Sequence, residues 1–320
     1  MYKKNGIFVV MEQKIDIKQF CPFNNLEFIA NQLVEGFITG LHQSPFHGFS
    51  VEFAEYRPYN TGESTKNIDW KLYGKTDKFF VKEYEEETNL RCQLVLDCSS
   101  SMYFPLTPAP SLEHPNKIYF SAYAAAALIQ LFRRQRDAAG LSLFAEQLLL
   151  HTPAKSSIVH HKMMYAELEK LLQSPPIEQK QNTNIAACLH EIAERLPRRS
   201  LVIVFTDGLD FEHKEEFYLS LQHLRHNKHS VVIFHVYDKR LEVDFNFNNQ
   251  PYKFIDMETS QVIKMNASEL KNVYKKSMQN FLTELKTHFG QYQIDLVETD
   301  INEGFHQILI NYLLKRKKLY

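Results

Sequence analysis

The sequence predicts an α/β fold, a doubly wound and mostly parallel sheet with helices on both faces, from about residue 89 to the end of the chain. Three observations carry that expectation. The run Gln93-Leu94-Val95-Leu96 has no Gly or Pro, reads as a buried central strand, and ends on Asp97. A second run, Leu201-Val202-Ile203-Val204-Phe205, ends in the same way on Thr206-Asp207-Gly208. Around them, strand-like and helix-like segments alternate, as a parallel sheet with crossover helices requires.

Taken in order, Leu26, Ile29, Ala30, Leu33 and Phe37 recur at helical spacing, so residues 26–41 are an amphipathic helix, with Asn24 or Asn25 as its cap and Gly40 near its end. His42 to Gly48 is a loop by composition. Residues 53–87 interleave acidic and basic side chains around the single Trp70 and read as β-rich, an ion-paired surface or a binding face. After Met102, the proline-bearing stretch 105–115 is a long loop on the rim of the sheet edge. An alanine-rich helix spans 117–136, and Asp137-Ala138-Ala139-Gly140 closes it. Strands at 141–144 and 148–150 pair as a hairpin; a helix at 162–172 ends at Pro175-Pro176. A helix at 185–196, the Asp207 strand, a helix at 213–227 and a buried strand at 231–236 complete the alternation. The tail reads as a hairpin at 252–255 and 261–264, a long helix 267–289, a strand 293–297, a helix 305–314, and a basic, solvated end, Lys315-Arg316-Lys317-Lys318. The predicted organisation is an extension at 1–25, a helix plus mixed-charge segment at 26–88, and the α/β domain at 89–320.

In open α/β sheets, ligands bind beyond the carboxyl ends of strands. Asp97, with Ser99 and Ser101 at alternate positions after it, delivers a carboxylate and two hydroxyls to one such edge, and Asp207 ends the second strand. Asn182-Thr183-Asn184 stands between them, just before a helix. An all-oxygen set of this kind suits a hard cation such as Mg²⁺.

At these residues the chain resembles a von Willebrand factor A domain: Asp97-x-Ser99-x-Ser101, then Thr183, then Asp207, match that family's metal-ion-dependent adhesion site. The resemblance implies that Ser99, Ser101 and Thr183 coordinate Mg²⁺ or Mn²⁺ directly, that Asp97 and Asp207 act mainly through bound waters, and that a partner's carboxylate fills an open position. The upstream segment sharpens it. Gly40-Leu41-His42-Gln43-Ser44-Pro45, Tyr56-Arg57-Pro58-Tyr59, Gly62-Glu63, Ile68-Asp69-Trp70-Lys71 and Lys82-Glu83-Tyr84 are similar to family 58 of domains of unknown function (DUF58), whose members join such a segment to a von Willebrand A-like domain. The chain departs from the family at Gly62-Glu63-Ser64 and at Gly74-Lys75-Thr76. The resemblance implies a non-catalytic, divalent-metal-dependent protein-interaction module that works with a MoxR-type AAA+ ATPase in a chaperone or assembly system. Two alternatives stay open: a metal-dependent phosphoester or ester hydrolase, and a metal-free scaffold.

Other patterns point to less. Gly74-Lys75-Thr76 mimics the end of a P-loop, but Asp69 stands where the first glycine belongs, and Phe79-Phe80-Val81 reads as strand. His223, His226 and His229 recur every third residue, a spacing that suits zinc, yet they read as an exposed helix end. Lysines and aromatics between Tyr56 and Lys82 suit single-stranded nucleic acid, but acidic neighbours offset the charge. With a formal net charge of -1, 44% hydrophobic and 23% charged residues over 320 positions, there is no global draw to nucleic acid or membrane. Cys21, Cys92, Cys98 and Cys188 lack zinc-type pairing and read as reduced, buried thiols of a cytoplasmic protein. No apolar run approaches the ~20 residues of a membrane span. The opening Met1–Met11 stretch is too short for a signal peptide, and Met11 is an alternative start.

Overall fold

The computed structural model describes residues 25–43, 56–58, 70–82, 90–107, 109–173, 184–208, 214–248, 250–255, 257 and 262–319. Thr183, Cys21, Met1, Met11, Pro175-Pro176 and residues 44–48 of the expected 42–48 loop lie outside them, while His42 and Gln43 of that loop are helical. In chain order the elements are α1 (Leu26–Gln43), β1 (Tyr56–Pro58), α2 (Trp70–Thr76), β2 (Phe80–Lys82), β3 (Arg91–Asp97), α3 (Lys117–Arg134), β4 (Ala138–Phe144) and β5 (Leu148–His151). They continue with α4 (Ile158–Gln173), α5 (Ile185–Arg195), β6 (Leu201–Thr206), α6 (Lys214–His226), β7 (Ser230–Tyr237), β8 (Pro251–Ile255), β9 (Val262–Asn266), α7 (Ala267–Gln291), β10 (Asp295–Asp300) and α8 (His306–Leu319). A 3-10 turn covers Ser100–Tyr103 and a π-helical turn covers Lys239–Val243.

The central sheet has the order β10-β7-β6-β3-β4-β5, parallel throughout except for the edge strand β5. It is the doubly wound α/β sheet expected from the sequence. The side-chain period of two sorts each strand between two cores. Leu94 and Leu96 of β3 and Ile203 and Phe205 of β6 face the layer that contains α1, α3, α4 and α8. Val95, Val202 and Val204 face α5, α6 and α7. Burial on both faces is why these strands read as continuous apolar runs.

The first helix begins where expected, with Phe28 N–H donating to Asn25 Oδ1 at 3.0 Å. Its apolar stripe, Leu26, Ile29, Ala30, Leu33 and Phe37, joins the same core as the alanine-rich α3. Arg133 to Glu27 (2.9 Å) and Gln130 to Asn31 (2.8 Å) tie the two helices along their rim. Of the mixed-charge segment, residues 56–58 and 70–82 are described. β1 and β2 are three residues each, paired antiparallel, and Trp70–Thr76 is helical.

Two boundaries correct the sequence reading. Gly140 does not close α3; it lies inside β4, and Arg136, at φ 58°, makes the left-handed turn out of the helix. The glycine answers to packing: a Cβ there would stand 2.2 Å from Gln93 Oε1 and 2.7 Å from the Thr152 carbonyl oxygen. Gln93 is buried and donates to Ser142 Oγ at 2.9 Å and to Thr152 O at 3.2 Å, so it cannot swing away without losing both bonds. Gly140→Ala is therefore expected to destabilise the fold by about 1–3 kcal/mol, read as a lower urea midpoint.

The basic end is the second correction. Lys315 and Arg316 lie within α8 rather than in a solvated tail, Lys315 pairing with Asp295 at 2.8 Å and Arg316 with Asp137 at 2.9 Å.

Candidate functional site

The site forms where β3 and β6 end side by side. Their register pairs Leu96 with Phe205, so Asp97 and Thr206 leave the sheet together. Asp97 is fully buried, and its two oxygens are held separately: Ser99 N–H donates to Oδ1 at 2.9 Å and Thr206 Oγ donates to Oδ2 at 2.6 Å. Cys98 N–H donates to the Phe144 carbonyl at 2.7 Å, which ties the turn after β3 to the end of β4. The Ser99 and Ser101 hydroxyls lie 3.1 Å apart, and Ser101 Oγ donates to Asp207 Oδ1 at 3.0 Å. Ser99 is buried, whereas Ser101 and Asp207 are partly exposed, so the row opens to solvent at its outer end.

Four of the five expected residues, Asp97, Ser99, Ser101 and Asp207, thus lie along one contiguous edge. The fifth, Thr183, lies outside the described residues. Its neighbour Asn184 caps α5 by accepting from Ala187 N at 3.1 Å, and its own N–H donates to the Ala145 carbonyl at 3.2 Å, beside the end of β4.

Sequence reasoning missed three residues of this edge. Thr206 orients Asp97. Lys117, the first residue of α3, is 2% exposed and reaches Asp207 Oδ2 at 2.5 Å and Glu242 Oε1 at 2.6 Å. Glu242 sits on the π-helical turn after β7, and its Oε2 accepts from Asp238 N at 2.7 Å. The one available signal was Lys117 itself. A cation at a helix N-terminus opposes the dipole, by ~0.3–1 kcal/mol at exposed sites, and here it opens a helix in which no other charged residue precedes Arg133.

The electrostatics follow from burial. Burial disfavours the Lys117 ammonium, but the Asp207 and Glu242 carboxylates outweigh it and hold its pKa above that of ordinary lysine. Burial raises Glu242 in spite of Lys117. With an ammonium 2.6 Å away, ionised Glu242 is the consistent reading of the pair. Burial, then the charge of Asp207, push Asp97 up to about 7 from the ordinary 3.8, against the bonds from Thr206 and Ser99. Burial lowers His235 to about 4, so its ring is neutral at pH 7. When Asp97, Asp207 and Glu242 are all ionised, Lys117 compensates one charge and two negative charges remain. An all-oxygen set with that surplus fits a hard divalent cation.

A carboxyl whose native pKa is raised keeps a proton that the unfolded chain has lost. Its contribution to stability is full below about pH 4 and is lost as pH rises through about 7. In chelator, Asp97→Asn should therefore gain stability relative to wild type across that window, with a slope approaching ~1.4 kcal/mol per pH unit. Urea unfolding at about pH 5 and about pH 7.5 measures the difference; a constant gap would give Asp97 an ordinary pKa.

The other patterns resolve differently. Gly74-Lys75-Thr76 ends α2, where no helix N-terminus is available to a phosphate. His229 is not on an exposed helix end: it is fully buried beyond α6, and its Nδ1 accepts from Ser200 N at 3.1 Å. His223 meets His190 across the α5–α6 contact, Nδ1 to Nδ1 at 3.0 Å, a partner that the sequence spacing concealed. Among the described residues, no group of three or more His, Cys, Asp or Glu could hold a metal, so the edge at Asp97 depends on its hydroxyls. Cys92, Cys98 and Cys188 are buried free thiols. A cleft of about 390 Å³, lined by Lys286, Asp295 and Lys315 among others, lies at the start of β10, the opposite edge of the sheet from Asp97. No helix among the described residues is long and apolar enough to cross a membrane.

Curated relatives include uncharacterized proteins of Mycobacterium bovis and Mycobacterium tuberculosis, 22% identical over 194 residues, which is 61% of this chain and 58% of each relative. The match therefore spans less than two thirds of those relatives. Similar solved structures include the conserved hypothetical protein BatB from Bacteroides thetaiotaomicron (15% identity, TM-score 0.41, 72% of this chain and 99% of that one). The VWA domain of SpRpn10 is another (11% identity, TM-score 0.39, 70% and 95%). The family model described as protein of unknown function DUF58 matches residues 55–281, well over half of the 320 residues, and the chain belongs to that family.

Proposed function

We propose that the edge at Asp97, Ser99, Ser101 and Asp207 is a divalent-cation-dependent docking site for a protein partner, and that the protein acts as a non-catalytic interaction module. The observation that supports this most is the unbroken row from Ser99 through Ser101 to Asp207, set beside a buried Asp97 and carrying an acidic surplus. Thr183 completes the donor set in this reading. Bound Mg²⁺ or Mn²⁺ would supply a coordination position for an Asp or Glu carboxylate of the partner.

The chain's own residues do the positioning. Thr206 and the Ser99 amide hold Asp97 rigidly, and the Ser101 hydroxyl and Lys117 each hold one oxygen of Asp207. A partner lacking the carboxylate leaves the ion underligated, which is the source of selectivity.

The resemblance of the chain to the DUF58 family suggests a MoxR-type AAA+ ATPase as the partner, in a chaperone or complex-assembly system. Capture of such a purified ATPase by the immobilised protein is expected in magnesium and lost in EDTA and in Asp207→Ala. Capture that survives both would contradict cation-dependent docking and favour the scaffold reading. Turnover of a generic phosphoester that requires metal and disappears in Asp97→Ala would favour the hydrolase reading instead.

A further inference from the structure

We infer that Lys117 and Glu242 form a built-in neutral charge pair that anchors Asp207 while leaving this edge the two negative charges that match a divalent cation. The inference rests on the metal reading above. Lys117 is then a positioning residue that acts through Asp207.

The geometry separates the two oxygens of Asp207. Oδ1 accepts from the Ser101 hydroxyl at 3.0 Å and faces the candidate donor row, while Oδ2 is taken by the Lys117 ammonium at 2.5 Å. The ammonium is 2% exposed and lies 5.5 Å from the Phe104 ring centroid, so it cannot leave for solvent. Its second partner, Glu242, is itself fixed. Asp238 N–H binds the other Glu242 oxygen at 2.7 Å, and Tyr274 Oη of α7 donates to the Glu242 carbonyl at 2.8 Å.

A cation buried at a helix N-terminus is costly to keep. Its presence is explained if it has a task at the site. Two carboxylates, Asp97 and Asp207, already equal the charge of a divalent ion; Lys117 alone would cut that to one, and Glu242 restores it. The pair thereby anchors Asp207 without changing the charge offered to the cation.

Mn²⁺ titration of the full chain, followed by calorimetry, tests this with Glu242→Gln, Lys117→Met and the double variant. Glu242→Gln leaves the ammonium uncompensated and should weaken Mn²⁺ binding about tenfold or more. The double variant removes both charges and should bind Mn²⁺ better than Glu242→Gln, while staying weaker than wild type because Asp207 has lost its anchor. Lost packing alone would make the double variant at least as poor as Glu242→Gln. Lys117→Met should raise Tb³⁺ affinity relative to Mn²⁺; should it fail to fold, the other two variants decide. Wild-type binding with Glu242→Gln unchanged, or with a double variant no better than Glu242→Gln, overturns the inference and leaves the metal reading intact. No Mn²⁺ binding to wild type ends the metal reading and this inference with it.

Discussion

Asp97→Ala is expected to lower Mn²⁺ affinity at least about a hundredfold, while Ser101→Ala lowers it less. Asp97 supplies the completely buried carboxylate at the floor of the site, with each oxygen held in place. Its removal also frees Thr206 Oγ and the Ser99 amide, which it holds at 2.6 and 2.9 Å. Ser101 lies at the outer, partly exposed end, where a water can take over its role. Calorimetry on the two variants measures the ranking. Equal losses, or a larger loss at Ser101, would show that Asp97 is a structural carboxylate and does not dominate the hold on the ion.

Asp137→Ala should be the most damaging substitution away from this edge, costing about 3–5 kcal/mol of stability. Asp137 is fully buried and accepts from Leu90 N at 3.1 Å, Tyr312 Oη at 2.6 Å and Arg316 Nε at 2.9 Å. It therefore joins the start of β3, the exit from α3 and the C-terminal helix α8. Alanine removes the buried acceptor that the Leu90 amide, the Tyr312 phenol and the Arg316 guanidinium share, whereas Asp137→Asn keeps the shape and should cost less. Chemical denaturation of both variants measures the effect. A loss below about 1 kcal/mol would mean that water reaches the cluster.

What could be read from the sequence and what could not divides along a physical line. Asp97, Ser99, Ser101 and Asp207 were legible because a strand is local: an apolar run that stops on an aspartate places that residue at the sheet edge whatever surrounds it. The mostly parallel sheet was legible from the alternation of strand-like and helix-like segments. Thr206, Lys117 and Glu242 were not, because their roles are set by contacts 109, 90 and 125 residues away in sequence. Gly140 read as a helix stop because only the packed sheet brings the Gln93 amide against it. Arg316 read as part of a solvated basic end because nothing local reveals a buried aspartate 179 residues upstream. The described residues of the mixed-charge segment hold two short strands and one helix, and the interleaved charges carry no period to distinguish them.

The most direct measurement is a Mn²⁺ titration of the wild-type chain at about pH 7.5, with the free ion followed by electron paramagnetic resonance. The account predicts one site per chain that Mg²⁺ displaces. Mn²⁺ that stays free into the millimolar range would contradict it, and the proposed docking would then have to proceed without a cation.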